Sequence, residues 1–552
     1  MSIKTTKSVK QEIRLSPRLF VLITVFGLLG IWGAAILAYK ANHFSLVYPL
    51  VFAALGSVAF IILIVHLRTR HLARSTKKKL SVLSLIATLG LGSISMLLFP
   101  PGSVPDETYH YYNSYHYANV ILGIHDDSSR SLIMRSCDAN FVRDKFSSYY
   151  KSDSGLGLGV DAKGMDYLRS HIFQKEDTYT ITTLHSNNQV AFTNAGGVIQ
   201  SRIATTAGIL IGRALSLNSL LTFYLGRIFN LILFSFLAFL AIRIIPFGSK
   251  IIAAISLLPM SISLAASYSY DSAIMGLAFL LIALLLRAIS MQGQIKVREV
   301  IPILLVSFLL APLKLVYAPL VIIGLFIPRK RFGSVYWEFL FKISLILVCL
   351  ISIIIWQIPN LGGFLGAENN AATAPTHADL AESEASSPTL LFLFMHPFRT
   401  LMVFAKTLYK TGGWLIDTTI GSSLGWFQPS IIAPWFIAPA YIVLLFAASQ
   451  RYSANSKIIS LNRKVLFGIV FLICATLLFS VFYLTTIADT HDSASVILGM
   501  QGRYFIPILP LLLLLFRVNR FYYKYDWTTL LPLAFFILTY AYFLEVYVAA
   551  LG

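Results

Sequence analysis

The stretch LSVLSLIATLGLGSISMLLFPPGSVPDETYH, Leu80 to His110, decides how this chain is read. Its first part, Leu80 to Phe99, is apolar over the roughly 20 residues that a helix needs to cross about 30 Å of hydrocarbon. Its second part, Pro105-Asp106-Glu107-Thr108-Tyr109-His110, sets two adjacent carboxylates and a histidine where that helix meets water. Ionisable groups at that depth are costly to keep, and they mark chemistry or transport.

The same hydropathy extends outward through the chain. Of its 552 residues, 57% are hydrophobic and only 12% charged, with mean hydropathy +0.74. A soluble core does not account for such a composition, and apolar runs of spanning length recur throughout. The expected fold is an all-α polytopic integral membrane protein. The net charge of +20 lies in short clusters between apolar runs, without a basic domain. That pattern fits anchoring to anionic membrane lipids and argues against nucleic acid as a partner. Three cysteines, Cys137, Cys349 and Cys474, allow no disulfide framework and no CxxC metal site. Lys4, Lys7, Lys10, Arg14 and Arg18 precede an apolar run longer than a signal h-region, so a cleavable signal is not expected.

Spans are expected at about 19–39, 45–66, 80–99, 222–242, 251–268, 271–289, 300–312, 315–327, 339–358, 432–450, 464–485, 503–517 and 527–549, thirteen in all. The basic tail and the basic connection Arg68, Arg70, Arg74, Lys77, Lys78 and Lys79 belong in the cytoplasm. The third span then carries Asp106 to the external face. The pair 300–312 and 315–327 is too short to cross upright and reads as a broken hairpin around Pro312-Leu313-Lys314. Three units follow: residues 1–79, a tail with two N-terminal spans; 80–520, a membrane domain with large external loops at 100–205 and 359–431; and 521–552, a last span. Ala367–Ser387 reads as a mobile stretch. Leu390–Tyr409 reads as an interfacial amphipathic helix, followed by turns rich in glycine and tryptophan around Gly412, Gly413, Trp414, Gly421, Gly425 and Trp426.

Asp106 and Glu107 are the first candidates for chemistry. Successive residues point apart, so one carboxylate suits accepting a proton and the other suits orientation or a divalent cation. The plain alternative is a helix-end pair that merely meets water. Arg227, Lys314 and Arg503 fall on the same side by topology, as a phosphate site requires; singly, each is a snorkelling headgroup anchor. Asp271 either pairs with one of them or caps a helix. Tyr109, Tyr111, Tyr112, Tyr115 and Tyr117 suit an interfacial belt or a sugar equally. His110, His116 and His125 lack zinc spacing. Gly155-Leu156-Gly157-Leu158-Gly159 is glycine-rich without a strand and helix around it, and reads as a loop.

Five blocks resemble bacterial membrane proteins grouped as domain of unknown function 2142. They are Pro100-Pro101-Gly102-Ser103-Val104-Pro105-Asp106-Glu107-x-x-His110, Tyr224-Leu225-Gly226-Arg227-Ile228-Phe229-Asn230, Leu258-Pro259-Met260 with Ala266-Ser267-Tyr268-Ser269-Tyr270-Asp271, Pro312-Leu313-Lys314-x-x-Tyr317, and Gly502-Arg503-Tyr504-Phe505-x-Pro507. The resemblance covers about residues 80–520. That family in turn resembles membrane glycosyltransferases of the C-type fold, which use an acid in the first large external loop and a polyprenyl-phosphate sugar. The resemblance implies Asp106 and Glu107 as catalytic residues. It implies His110, Arg227, Asp271, Lys314, Tyr317, Arg503 and Tyr504 as substrate-binding residues, and a multi-pass protein of the bacterial cytoplasmic membrane.

Together these readings point to transfer of a sugar from a polyprenyl-phosphate donor to a cell-envelope glycan or lipid-linked acceptor on the external face. Asp106 would be the general base of an inverting displacement. The alternatives are a transporter or flippase of lipid-linked saccharides, and a glycan polymerase or ligase. No cofactor is required by this reading, although a divalent cation at Asp106 and Glu107 is compatible with it.

Overall fold

The computed structural model describes residues 16–42, 45–68, 76–126, 131–151, 160, 162–185, 198–361, 390–424, 433–451, 458–486, 496–518 and 527–551. The glycine run at Gly155–Gly159, the stretch Ala367–Ser387, Gly425 with Trp426, and the basic connection at 69–75 lie outside the described residues.

Three long helices open the chain: α1 (Pro17–Asn42), α2 (Val47–Arg68) and α3 (Thr76–Leu98). Pro100-Pro101 then stops α3, because proline supplies no backbone donor and restricts the residue before it. A short membrane-flanking subdomain follows, made of α4 (Glu107–Ile121), β1 (Ser131–Arg135), α5 (Ser136–Lys151), α6 (Ala162–His171) and β2 (Ile181–His185). The two strands pair antiparallel, Ser131 opposite His185 and Arg135 opposite Ile181. Arg135 clamps this unit to the next long helix. It holds Asp138 through two hydrogen bonds of 2.7 and 2.9 Å and also donates to Thr222 and to the Leu217 carbonyl.

The chain continues through α7 (Ile203–Ala214), α8 (Ser219–Ile244), α9 (Ser249–Ser256), α10 (Pro259–Ala265), α11 (Asp271–Ser290) and α12 (Val297–Leu310). A 3-10 turn, Leu315–Val321, leads to α13 (Ile322–Leu325) and α14 (Val335–Leu361). The last part comprises α15 (Leu390–Met395), α16 (Pro397–Ile420), α17 (Ile437–Ser449), α18 (Leu461–Thr486), a 3-10 turn at Gly502–Phe505, α19 (Leu509–Leu515) and α20 (Leu531–Leu551).

Eight of the described helices are long and apolar enough to cross a membrane: α1, α2, α3, α8, α11, α14, α18 and α20. They make the chain a polytopic, mostly helical membrane protein. The other five of the thirteen expected spans are short or broken. Pro259 divides 251–268 into α9 and α10, and the 503–517 stretch is a 3-10 turn followed by seven helical residues. α12 and α17 have 14 and 13 residues, and the 315–327 piece is largely 3-10 helix. The small two-stranded sheet is a minor departure from an all-α fold.

α11 is the centre of the bundle, buried along nearly its whole length, whereas little of α1 is buried and it lies at the edge. α7 was not expected. It packs on α8 through small residues: a Cβ on Gly208 would meet the Gly226 backbone at 2.5 Å, and one on Gly212 would meet Thr222 at 2.7 Å. Gly208 and Gly212 are four apart, as are Thr222 and Gly226, so two smooth helix faces meet backbone to backbone.

Candidate active site

The end of α3 explains the first part of the site. A helix leaves its last carbonyls without intrahelical donors. Here Arg227 of α8 supplies them, donating to Met96, Phe99 and Pro100 carbonyls at 3.0, 2.6 and 3.1 Å. Its two remaining N–H groups hold Glu107 at 2.8 and 2.6 Å. All five guanidinium donors are thereby used. Glu107 accepts two further bonds, from Gly102 and Tyr268 backbone N–H at 2.9 and 3.1 Å. Both side chains are fully buried.

This is a bolt that joins α3, α4, α8 and the turn before α11. It separates Glu107 and Arg227 from the expected catalytic and phosphate-binding roles, because neither has a hydrogen-bonding position left for substrate. For the same reason Asp106 and Glu107 do not fit a shared divalent cation. Among the described residues no group of three or more His, Cys, Asp or Glu side chains is placed to hold a metal.

Asp106 lies on the other side of the turn. It precedes α4 with φ 61°, one of two non-glycine residues with positive φ among those described. That conformation is uncommon outside glycine and asparagine-like residues, and it marks a position held by its surroundings. Asp106 occupies the N-cap yet makes no side-chain cap bond. Its carboxylate turns instead to Arg503, accepting from Nη2 at 2.7 Å, and remains about one-third exposed.

Around this pair the other quoted blocks converge. Arg503 Nε is 3.7 Å from Asp271, whose carboxylate also accepts from Lys314 Nζ at 2.8 Å. Lys314 sits over the rings of Tyr504 and Tyr270, 4.3 and 4.8 Å from their centroids. Tyr317 donates to the Tyr504 carbonyl at 2.7 Å, so it positions that residue from within the core. Asn230 holds the Ser267 and Ser269 carbonyls and so fixes the turn that leads to Asp271. His110 is buried against Tyr270, ring centroids 4.7 Å apart, and its Nδ1 has no hydrogen-bond partner. Burial, reinforced by the charges of Arg202, Arg503 and Lys314, holds His110 well below its usual titration range, so it is neutral at pH 7.

One residue escaped the sequence reading. Arg202, at the head of α7, is 5% exposed and lies over Tyr270 and Tyr109, 5.5 and 6.0 Å from their centroids. Its Nε is buried without a hydrogen bond, and no carboxylate is paired with it among the described residues. Its only signal in the sequence was a lone basic residue before an apolar stretch too short to read as a span. Arg503 and Lys314 pair with Asp106 and Asp271, while Arg202, which acts on the same His110, pairs with neither and leaves one positive charge in excess. Such a cluster is built to receive an anion.

Comparison with known proteins follows the same outline. The family model described as predicted membrane protein (DUF2142) matches residues 173–512, more than half of the chain. That span contains Arg202, Arg227, Asp271, Lys314 and Arg503; Asp106, Glu107 and His110 precede it. No curated protein matches the chain, and no solved structure does. With the matched region holding α7 through most of α19, the chain belongs to the DUF2142 family of predicted membrane proteins.

Proposed function

We propose that this protein is a membrane glycosyltransferase that transfers a sugar from a polyprenyl-phosphate donor to a cell-envelope glycan or lipid-linked acceptor, with a fold of the C-type glycosyltransferase kind. The observation that carries this reading is Asp106: a part-exposed carboxylate in a left-handed turn, 2.7 Å from Arg503, which also reaches the Asp271–Lys314 pair, with Arg202 over Tyr109 and Tyr270 close by. A base and an anion-binding cluster in contact are what a phosphate-leaving displacement needs.

In this mechanism the donor phosphate engages Arg503, Lys314 and Arg202, and draws Arg503 away from Asp106. The freed Asp106 carboxylate takes the proton of the acceptor hydroxyl. The hydroxyl oxygen bonds to the anomeric carbon as the bond from that carbon to the phosphate oxygen breaks. Lipid phosphate leaves, its charge met by the cations. Tyr109, Tyr270 and Tyr504 offer ring faces to the sugar. The single displacement inverts the anomeric centre. The donor's source places this chemistry on the external face of a bacterial cytoplasmic membrane, where nucleotide sugars are scarce.

Purified protein supplied with a panel of polyprenyl-phosphate sugars and envelope acceptors tests the proposal. Asp106→Asn should lower turnover by about 100-fold or more while leaving donor binding largely intact. Arg202→Ala should do the reverse and weaken donor binding first. Absence of transfer with the whole panel, together with lipid scrambling that persists in Asp106→Asn, would point to a transporter of lipid-linked saccharides instead.

A further inference from the structure

At the opposite ends of the same helices lies a second basic feature. A cleft of about 680 Å³ opens between the start of α3 and the ends of α8 and α11. Lys77, Lys78, Arg243 and Arg287 line it, with Ser290 among them and no carboxylate among the described residues. Arg243 lies sixteen residues along α8 from Arg227, and Arg287 the same distance along α11 from Asp271. The cleft is therefore about 24 Å from the Asp106 cluster, on the far side of the apolar layer.

Three physical features distinguish it from scattered interfacial charge. First, α3 begins with lysines and no acid in its first turn. Cations at a helix N-terminus oppose the helix dipole, and an anion there relieves both. Second, the cations come from three different helices and converge on one concavity. Third, one wall is apolar. Leu240 and Ile244 line the cleft, and they continue the row Ile228, Ile232 and Phe236, each at least 38% exposed on the outer face of α8. The spacing of four joins these side chains into one continuous ridge, which winds around α8 as it runs from the cleft into the depth of the bilayer.

We propose that this cleft binds the phosphate headgroup of an anionic phospholipid, with an acyl chain laid along the Ile228–Ile244 row. The phosphodiester would sit between Arg243, Arg287 and the α3 N-terminus. The inference is independent of the transfer reaction, since none of these residues belongs to the Asp106 cluster. The apolar row favours a lipid over free phosphate, which has no use for it.

Native mass spectrometry of the full chain in detergent, with phosphatidylglycerol and phosphatidylcholine added in competition, tests the site. Wild-type protein should retain phosphatidylglycerol preferentially. The double variant Arg243→Ala/Arg287→Ala should lose roughly 30-fold of that preference, about five-fold for each cation. Arg243→Lys/Arg287→Lys should keep most of it, which also shows that the fold survives change at these exposed positions. Arg329→Ala/Lys330→Ala removes exposed charge from the neighbouring 3-10 turn, whose Arg331 carbonyl accepts from Ile295 just beyond α11, and should change nothing. Equal retention of the two lipids, an unaffected Arg243→Ala/Arg287→Ala protein, or an equal loss in the Arg329→Ala/Lys330→Ala control would overturn the proposal. Displacement of the lipid by millimolar inorganic phosphate would overturn it too, in favour of a soluble phosphate.

Discussion

Asp106 is itself left-handed, and the turn it makes gives two neighbouring carboxylates different surroundings. Glu107 is sealed against Arg227, while Asp106 stays open beside Arg503. His110, one turn further along α4, supplies a pH test. It faces Tyr270 and Tyr109 and the charges of Arg202, Arg503 and Lys314, and it is held neutral well below its usual 6.5. Above pH 6.5 both folded and unfolded chains carry it neutral, and it has no effect on the pH dependence of stability. Below 6.5 the unfolded chain gains a proton that the folded chain refuses, so stability falls with pH. The slope approaches about 1.4 kcal/mol per pH unit for one proton. Thermal unfolding of His110→Gln between pH 7.5 and 5.5 should show a shallower acid decline than wild type by about that one-proton slope. At this scale the sequence revealed where the acids lie, through their position after an apolar run. It did not reveal which was free, because that depends on Arg227, 120 residues away.

α16 shows how an element positions the site without touching the chemistry. Its second half, expected as interfacial turns, is helical to Ile420 and grips the turn that carries Arg503. Gly502 donates to Thr418 Oγ1 at 2.6 Å, and Thr419 donates back to the Gly502 carbonyl at 3.0 Å. A Cβ on Gly502 would meet the Leu415 carbonyl oxygen at 1.7 Å, which is backbone and has little room to yield. Gly502→Ala should therefore displace Arg503 and weaken donor binding about as much as Arg503→Ala. The double variant should be little worse than either, because both remove one contact. Hydropathy located the long helices because their apolar runs exceed the bilayer's demand. It marked five shorter apolar stretches as well, since hydropathy runs on across the break at Pro259 and across 3-10 turns where no long helix forms. It passed over α7 because its 12 residues are too few to cross the bilayer, so the run does not register as a span although Gly208 and Gly212 let it pack closely on α8.

For the whole molecule, the two basic features lie at opposite ends of one bundle, and their sidedness is measurable. The three cysteines are buried, and burial beside Asp138 pushes the Cys137 thiol up to about 12, so background reactivity should be low. Ser170→Cys, exposed on α6, should react with an impermeant maleimide on intact cells, and Gln292→Cys, exposed after α11, only after permeabilisation. The reverse pattern would move the Asp106 cluster to the cytoplasmic side and remove the argument for a lipid-linked donor. The Glu107–Arg227 bolt has one more consequence, for biogenesis. When α8 is inserted it carries an arginine, which costs about 2.5–3.5 kcal/mol in the middle of an isolated membrane helix. Its carboxylate partner has been synthesised 120 residues earlier, at the head of α4. Docking against α3 and α4 lets α8 neutralise that charge before it disperses into lipid. The order of synthesis thus favours closing the Asp106 end of the bundle first, with α11 and the later helices added to a scaffold already joined.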